Sequence, residues 1–399
     1  MVFRNSLTRI IQYSTTRFFL LLFSSGLLAA SPMASPAWGF QIDPPEGYQL
    51  VAGNGKDRFS FLSQEEETQL DLVVYAGILQ PDGSRSKNPY PSVEAVAEDV
   101  QRRLNSQGDI RSFTYRNKKA VLMGLRFPGT SGPSQGWGLC IELESPEQGG
   151  EKPLLLALSY GPERIGTRAE IHFSVLDSIV PGPQDRLVPG PITEYQYPRG
   201  NQEQVALAGL PVKAFIYEHD AAAAQALVDR EFKVLRQYIN SPQWKEAWIR
   251  FYRTIYRDSF DRLFHVAFML ERFWNIPALE NRNLAEKALG WVQSFTYERD
   301  FLGSDFVNLV SAAVEGRGDC DSRALLWALL LEQANIPAAI MVSPHYSHAM
   351  GLADLPGTGA RFTLNNKAWL VAETTSSVAL GRISARMNET QYWLGVALE

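Results

Sequence analysis

Gly316-Arg317-Gly318-Asp319-Cys320-Asp321-Ser322-Arg323-Ala324 opens the stretch on which the reading of this chain turns. Gly316 and Gly318 allow a tight turn, and Asp319 is a good N-cap type. The apolar run Leu325, Leu326, Ala328, Leu329 and Leu330 then predicts a buried helix that stops near Asn335-Ile336-Pro337. Cys320 therefore falls in the first turn of that helix. The unpaired amides and the helix dipole there favour a thiolate and can form half of an oxyanion hole. Asp319 and Asp321 act the other way, because nearby negative charge raises a thiol pKa, and a protonated His348 would be needed to outweigh them.

Two further segments follow in order. Tyr346-Ser347-His348-Ala349-Met350-Gly351 reads as a short strand bearing a histidine. Trp369-Leu370-Val371-Ala372 reads as a second strand, with Glu373 at its end. Antiparallel pairing of the two would bring Glu373 alongside His348. Cys320, His348 and Glu373 are then the parts of a thiol nucleophile: a sulfur that attacks, an imidazole that takes and returns the proton, and a carboxylate that orients the imidazole.

The Gly-Asp-Cys helix, the lone histidine on a strand and the Trp-x-x-x-Glu-x-Thr ending resemble bacterial transglutaminase-like proteins of the papain-like cysteine superfamily. Trp291-Val292-Gln293-Ser294-Phe295-Thr296-Tyr297, with Asp300, is similar to the helix that precedes the cysteine in that superfamily. The resemblance spans roughly residues 260 to 390, about a third of the chain. It implies Cys320 as nucleophile, His348 as base and Glu373 as orienting acid. The superfamily more often has Asp at the Glu373 position, and the extra methylene alters the geometry. Gln293 is a candidate side-chain donor to an oxyanion; the alternative is a solvated helix glutamine.

The rest of the chain reads as follows. Its 399 residues allow two or three domains. A net charge of -5 gives no nucleic-acid footprint, so no nucleic-acid partner is expected. Residues 1–37 read as an export signal: Arg4, Arg9 and Arg17, then the apolar run Phe18 to Ala30, then Ser35-Pro36-Ala37 as a cleavage point. An uncleaved N-terminal anchor is the alternative. The run is shorter than the ~20 residues of a spanning helix, and no other stretch could span a membrane. A periplasmic or secreted protein follows, with no membrane association beyond the export signal.

Residues 41–180 read as an α+β unit. Strands are expected at Phe59–Leu62 and Leu70–Tyr75, and a helix through Val93, Val96, Ala97, Val100 and Leu104. A hairpin of Ser112–Arg116 and Ala120–Phe127 is expected to turn at Asn117-Lys118-Lys119, followed by strands at Trp137–Glu144 and Leu154–Tyr160. Thr167 and Glu170 fit a capping box for a closing helix with Ile171, Val175, Leu176 and Ile179. This order resembles the PsbP/Mog1-like sandwich fold, on pattern and not on a motif. The unit carries no catalytic constellation; its implied role is to bind something or to position the next domain.

Residues 181–211 read as a Pro-rich linker that is extended and semi-rigid, on the strength of Pro181, Pro183, Pro189, Pro191, Pro198 and Pro211. Residues 212–275 read as a helical lead-in, with Ala221–Ile239, Gln243–Asp258 and Phe260–Phe273 as helices. Residues 276–399 then make the transglutaminase-like cysteine domain. The whole is α+β: an N-terminal α/β sandwich, a helical lead-in and a C-terminal papain/transglutaminase-like α+β domain.

No glycine-rich phosphate loop and no His-Glu-x-x-His helix occurs, and His345 and His348 fall on opposite faces of a strand, so no metal and no cofactor is expected. His172 and His265 read as packing or surface histidines. The two cysteines, Cys140 and Cys320, could form one disulfide in an oxidising compartment and so remove the thiol. Cys140 sits in the apolar run Leu139-Cys140-Ile141 and reads instead as a core thiol. The favoured function is an exported cysteine peptidase or amidase acting on a protein or peptide. The alternatives are transglutaminase-type amine capture and a non-catalytic binding or scaffold protein.

Overall fold

The computed structural model of the protein describes residues 32–63, 70–80, 89–129, 132–145, 150–274, 281–299 and 304–398. The basic and apolar segment Arg4 to Ala30 and Asp300 lie outside the described residues. Among the described residues no helix is long and apolar enough to cross a membrane. The fold is mixed α and β, and the chain divides into two compact units. One holds the residues up to Arg186 with Gly190–Tyr195; the other holds Leu187–Pro189 with Gln196–Glu399.

In the first unit, β1 (Met33–Ala34) pairs with β2 (Gln41–Ile42). The main sheet is built from β3 (Tyr48–Gly53), β4 (Arg58–Ser63), β5 (Asp71–Gly77), β6 (Ile110–Tyr115), β7 (Lys118–Gly129), β8 (Gly132–Glu142) and β9 (Leu154–Pro162). Its order is β3-β4-β5-β9-β8-β7-β6, with every pairing antiparallel. Alternate residues of β7, Val121, Met123, Leu125 and Phe127, bury one face of the sheet against Val93, Val96, Ala97 and Val100 of helix α1 (Val93–Leu104). Cys140 lies in the same core, fully buried and unbridged.

Two local expectations fail in this unit. The β6–β7 turn is Arg116-Asn117, not Asn117-Lys118-Lys119; both residues have positive φ, 48° and 64°, a conformation that Asn tolerates well. Helix α2 (Ala169–Asp177) starts after Arg168 without any side-chain cap, so Thr167 and Glu170 form no capping box. Ser35-Pro36-Ala37, read from the sequence as a cleavage point, lies beside β1 in the first hairpin. Ser35 is buried, its hydroxyl donates to the Lys56 carbonyl and its amide to the Phe40 carbonyl, locking the segment into the hairpin.

The expected extended tether over 181–211 is also absent. Asp177, buried at the end of α2, accepts the amides of Ile192 and Thr193 and the Thr193 hydroxyl, which caps helix α3 (Pro191–Gln196). Pro191 is tolerated there because the first helical N–H has no partner to lose. Further on, β10 (Gln202–Ala206) pairs with β11 (Lys213–Tyr217), a hairpin inside the stretch read as linker and helix.

In the second unit, helices α4 (Asp220–Leu235), α5 (Trp244–Arg262), α6 (Phe264–Trp274), α7 (Asn281–Gln293), α8 (Leu309–Glu315) and α9 (Cys320–Gln333) pack around one apolar core. Between them run β12 (Thr296–Tyr297) and β13 (Arg317–Gly318), paired in parallel. The strands β14 (Ala338–Ser343), β15 (His348–Ala353), β16 (Arg361–Leu364), β17 (Lys367–Ala372) and β18 (Leu394–Ala397) form an antiparallel sheet of order β16-β17-β15-β14-β18. Ala338, Ile340 and Val342 turn to the α9 side, while Ala339 and Met341 turn to a smaller cluster with Met350, Phe362 and Trp393 on the other. Helix α9 is buried on every side, so its axis is fixed from all directions, and so is the position of its first residue.

Candidate active site

Helix α8 ends at Gly316, whose φ of +67° is the left-handed C-cap conformation. A side chain there would also meet Ala208, 2.7 Å from where its Cβ would lie. Three residues on, Asp319 caps α9: its Oδ1 accepts the Ser322 amide at 2.8 Å and the Ser322 hydroxyl at 2.7 Å. Cys320 is thereby the first residue of a helix whose start is tied down. Its side chain meets a cleft of about 290 Å³ shared with His348, Asp321, Tyr252 and Tyr297.

The histidine comes from the facing strand. His348 begins β15, and its Nε2 lies 2.8 Å from Oε2 of Glu373. Register places the carboxylate: β15 and β17 pair with Gly351 opposite Ala372, so the residue after Ala372 reaches back toward the strand start. The other oxygen of Glu373 accepts the amide and hydroxyl of Thr375, at 2.8 and 2.6 Å. Burial would raise the Glu373 carboxyl, but these donors and the His348 ring outweigh it and hold the group below its ordinary value. Glu373 thus stays an acceptor, and with Nε2 committed to it, Nδ1 is the ring nitrogen left for another partner.

Gln293 is not an oxyanion donor. Its Nε2 donates to the carbonyl of Glu373 at 2.8 Å and to that of Val378 at 2.9 Å, which spends both N–H bonds. It braces the acid's backbone instead. His345 is not on a strand at all; it precedes β15 and stacks on Tyr392 with ring centroids 4.0 Å apart.

Several groups that shape the thiol are not evident from spacing. The backbone amide of Ala349 favours the ionised sulfur, and Tyr297 lines the same cleft. Partial burial first, then the charge Cys320 would carry once ionised and that of Asp319, push the Tyr297 hydroxyl up to about 12, so it remains a donor. Arg323, 1% exposed and followed by the apolar run of α9, donates to the carbonyls of Gly318 and Phe295 at 3.1 and 2.8 Å. Its guanidinium also lies 5.5 Å from the Tyr297 ring centre. A buried arginine needs such acceptors, so the charge in the run after Cys320 was a signal to look for them.

Burial raises the Cys320 thiol well above its ordinary value, and Asp321 and Asp319 add to the shift; the Ala349 amide opposes it. The helix N-terminus alone therefore does not make a resting thiolate. Asp319 and Asp321 are each raised as well, first by burial, and Asp319 next by the Asp321 charge. One ligand atom from each of Asp319, Cys320 and Asp321 lies within 4.8 Å of the others. The cap and the Tyr252 contact already occupy a carboxylate oxygen of each Asp, and we do not read the three as metal ligands.

No family model matches the chain, and no curated protein does. Among solved structures, the solution structure of cyanobacterial PsbP (CyanoP) from Synechocystis sp. is similar over 40% of this chain and 97% of its own, at 14% identity and a TM-score of 0.27.

Proposed function

We propose that the chain is a cysteine-dependent acyl-transfer enzyme with Cys320 as nucleophile, His348 as base and Glu373 as the residue that orients the imidazole. One observation carries this reading: His348 is held by Glu373 through Nε2 at 2.8 Å, and its ring lines the same cleft as the sulfur at the start of a buried helix. In the reaction the Cys320 proton passes to Nδ1 of His348. The sulfur then bonds to the carbonyl carbon of an amide, and the carbonyl electron pair moves onto oxygen. The amide of Cys320 and the Tyr297 hydroxyl are the donors available to that oxyanion. Collapse expels the amine, which takes the proton from His348 and leaves a thioester. Water, deprotonated by His348, releases the acid and the thiol; an amine in its place gives a new amide.

We favour hydrolysis of a peptide or carboxamide, because water is always present and amine capture needs a site for the amine. The site belongs to a C-terminal domain of the transglutaminase-like, papain-like kind, and the N-terminal sheet serves as its binding or positioning unit. The composition of residues 1–37 supports export, to the periplasm or beyond.

A second reading has its own support. The Cys320 side chain is almost wholly buried, and burial and two carboxylates hold it as a thiol, as would suit a non-catalytic scaffold that keeps the fold. Turnover of a panel of peptide amides and p-nitroanilides separates the two. Hydrolysis by the wild type that Cys320→Ala abolishes, with its far-ultraviolet circular dichroism unchanged, supports the enzyme. Activity retained in Cys320→Ala refutes it.

A further inference from the structure

The sulfur has a second polar neighbour besides the histidine. Asp321 Oδ1 lies 3.6 Å from Cys320 Sγ, within reach of an S–H donor. Its Oδ2 accepts the hydroxyl of Tyr252 at 2.9 Å, and Tyr252 is itself buried in α5. Both oxygens of the carboxylate are thus fixed, one on a tyrosine and one toward the thiol. A helix residue immediately after a nucleophile usually points away from it, because neighbours on a helix do not share a face. Here the α5 tyrosine turns the carboxylate back toward the sulfur.

We propose that Asp321 is a catalytic residue of this site: its Oδ1 holds the Cys320 S–H in the resting protein, and swinging that bond from Asp321 to His348 arms the nucleophile. The step moves one proton, from sulfur to Nδ1, and yields a thiolate beside an imidazolium. It needs no co-reactant. Tyr252 is the positioning residue, acting through Oδ2. The inference rests on Cys320 being the nucleophile of the proposed triad.

Among the described residues, the charged and titratable groups around the carboxylate are few. Tyr252 faces it from α5, His348 from β15, and Asp305 from the segment before α8; Asp319 and Cys320 share its own helix start. Arg299 also lines the cleft but pairs with Asp305. Among the described residues, His348 is therefore the cation-forming group left to offset Asp321. The arrangement makes the resting site quiet: negative charge beside the sulfur opposes ionisation, and the same carboxylate holds the S–H hydrogen bond that must be released before the proton can pass to His348.

The test reads thiol chemistry alone and needs no substrate. In full-length protein carrying Cys140→Ala, alkylation of Cys320 by iodoacetamide is followed against pH. Asp321→Asn keeps the shape and removes the charge. The midpoint of its profile should fall by ~1–3 pH units, the effect of one close like charge, and its rate at pH 7 should rise roughly tenfold or more. Asp321→Glu, which keeps the carboxylate, should retain the high midpoint. Asp321→Ser gives the same reading as Asn should that variant fail to fold. A merely structural role would lower the melting temperature of Asp321→Asn and leave the midpoint in place; an unchanged or higher midpoint overturns the proposal. His348→Ala separates the two levels. If it alters alkylation while Asp321→Asn does not, the Asp321 latch alone is wrong. If it changes nothing in either background, the triad reading fails and takes the latch with it.

Discussion

Gly351→Ala should loosen the helix that carries Cys320. Gly351 lies in the middle of β15, three residues after His348, and faces α9. A Cβ built on it would sit 2.3 Å from Cε3 and 2.5 Å from Cζ3 of Trp327. Carbon atoms in contact prefer roughly 3.5–4.0 Å, so the ring or the strand must retreat by about 1 Å. The ring cannot easily do so: Trp327 is fully buried, and its Nε1 donates to the Ala285 carbonyl at 3.0 Å. Overpacking of this kind costs ~1–3 kcal/mol. Stiffening the unfolded chain returns ~0.4–1 kcal/mol, since Gly351 has no positive φ to protect. A net loss of about 1–2 kcal/mol speeds hydrogen exchange in Cys320–Gln333 by roughly 5- to 30-fold, measured by mass spectrometry on peptides from α9. Trp327→Leu should absorb the new methyl, so the two changes should couple by about 1 kcal/mol or more in a double-mutant cycle. Additive effects, or unchanged exchange in Gly351→Ala, would refute the packing argument.

Three other outcomes follow from particular contacts. Arg262 is buried between Asp258 and Asp220, at 2.9 and 2.6 Å. Arg262→Met leaves two buried carboxylates without a cation and should cost about 3–5 kcal/mol in urea unfolding of the second unit. His172 is buried, with Nδ1 2.8 Å from the Ser159 hydroxyl, and burial lowers its pKa to about 4. The unfolded histidine binds its proton near pH ~6.5, so this stability is whole above that value and drains as pH falls toward 4. On the order of 3 kcal/mol is at stake, and His172→Gln should flatten the pH dependence of the melting temperature in that window. Gln293→Leu removes the two bonds that brace Glu373 and Val378. It should cost about 1–3 kcal/mol in thermal unfolding.

What could be read from the chain had local causes. The Asp319 cap, the apolar run behind Cys320 and the short strands ending in His348 and Glu373 are all written within a few neighbouring residues. Their meeting follows from antiparallel pairing. The misreadings share the opposite property. Gln293 finds its acceptor carbonyls 80 and 85 residues away, which no helical pattern announces. The prolines of 181–211 signalled an extended tether, but the cap for α3 is supplied by Asp177, from the preceding helix. The β10–β11 hairpin is too short for its alternation to stand out from the helices around it. Charge near the sulfur was visible in Asp319 and Asp321; that Tyr252 would aim Asp321 at the thiol was not, because Tyr252 is 69 residues upstream.

The central claim is that Cys320 is a nucleophile driven by His348. Acylation by p-nitrophenyl acetate tests it most directly, with rapid quenching and peptide mapping of wild type and His348→Ala, both carrying Cys140→Ala. The account predicts an acetyl group on Cys320 that forms and then discharges in the wild type. In His348→Ala its formation should slow by ~100-fold or more, the usual contribution of a positioned base. Equal acylation rates in the two proteins, or no acetyl group on Cys320, would contradict it.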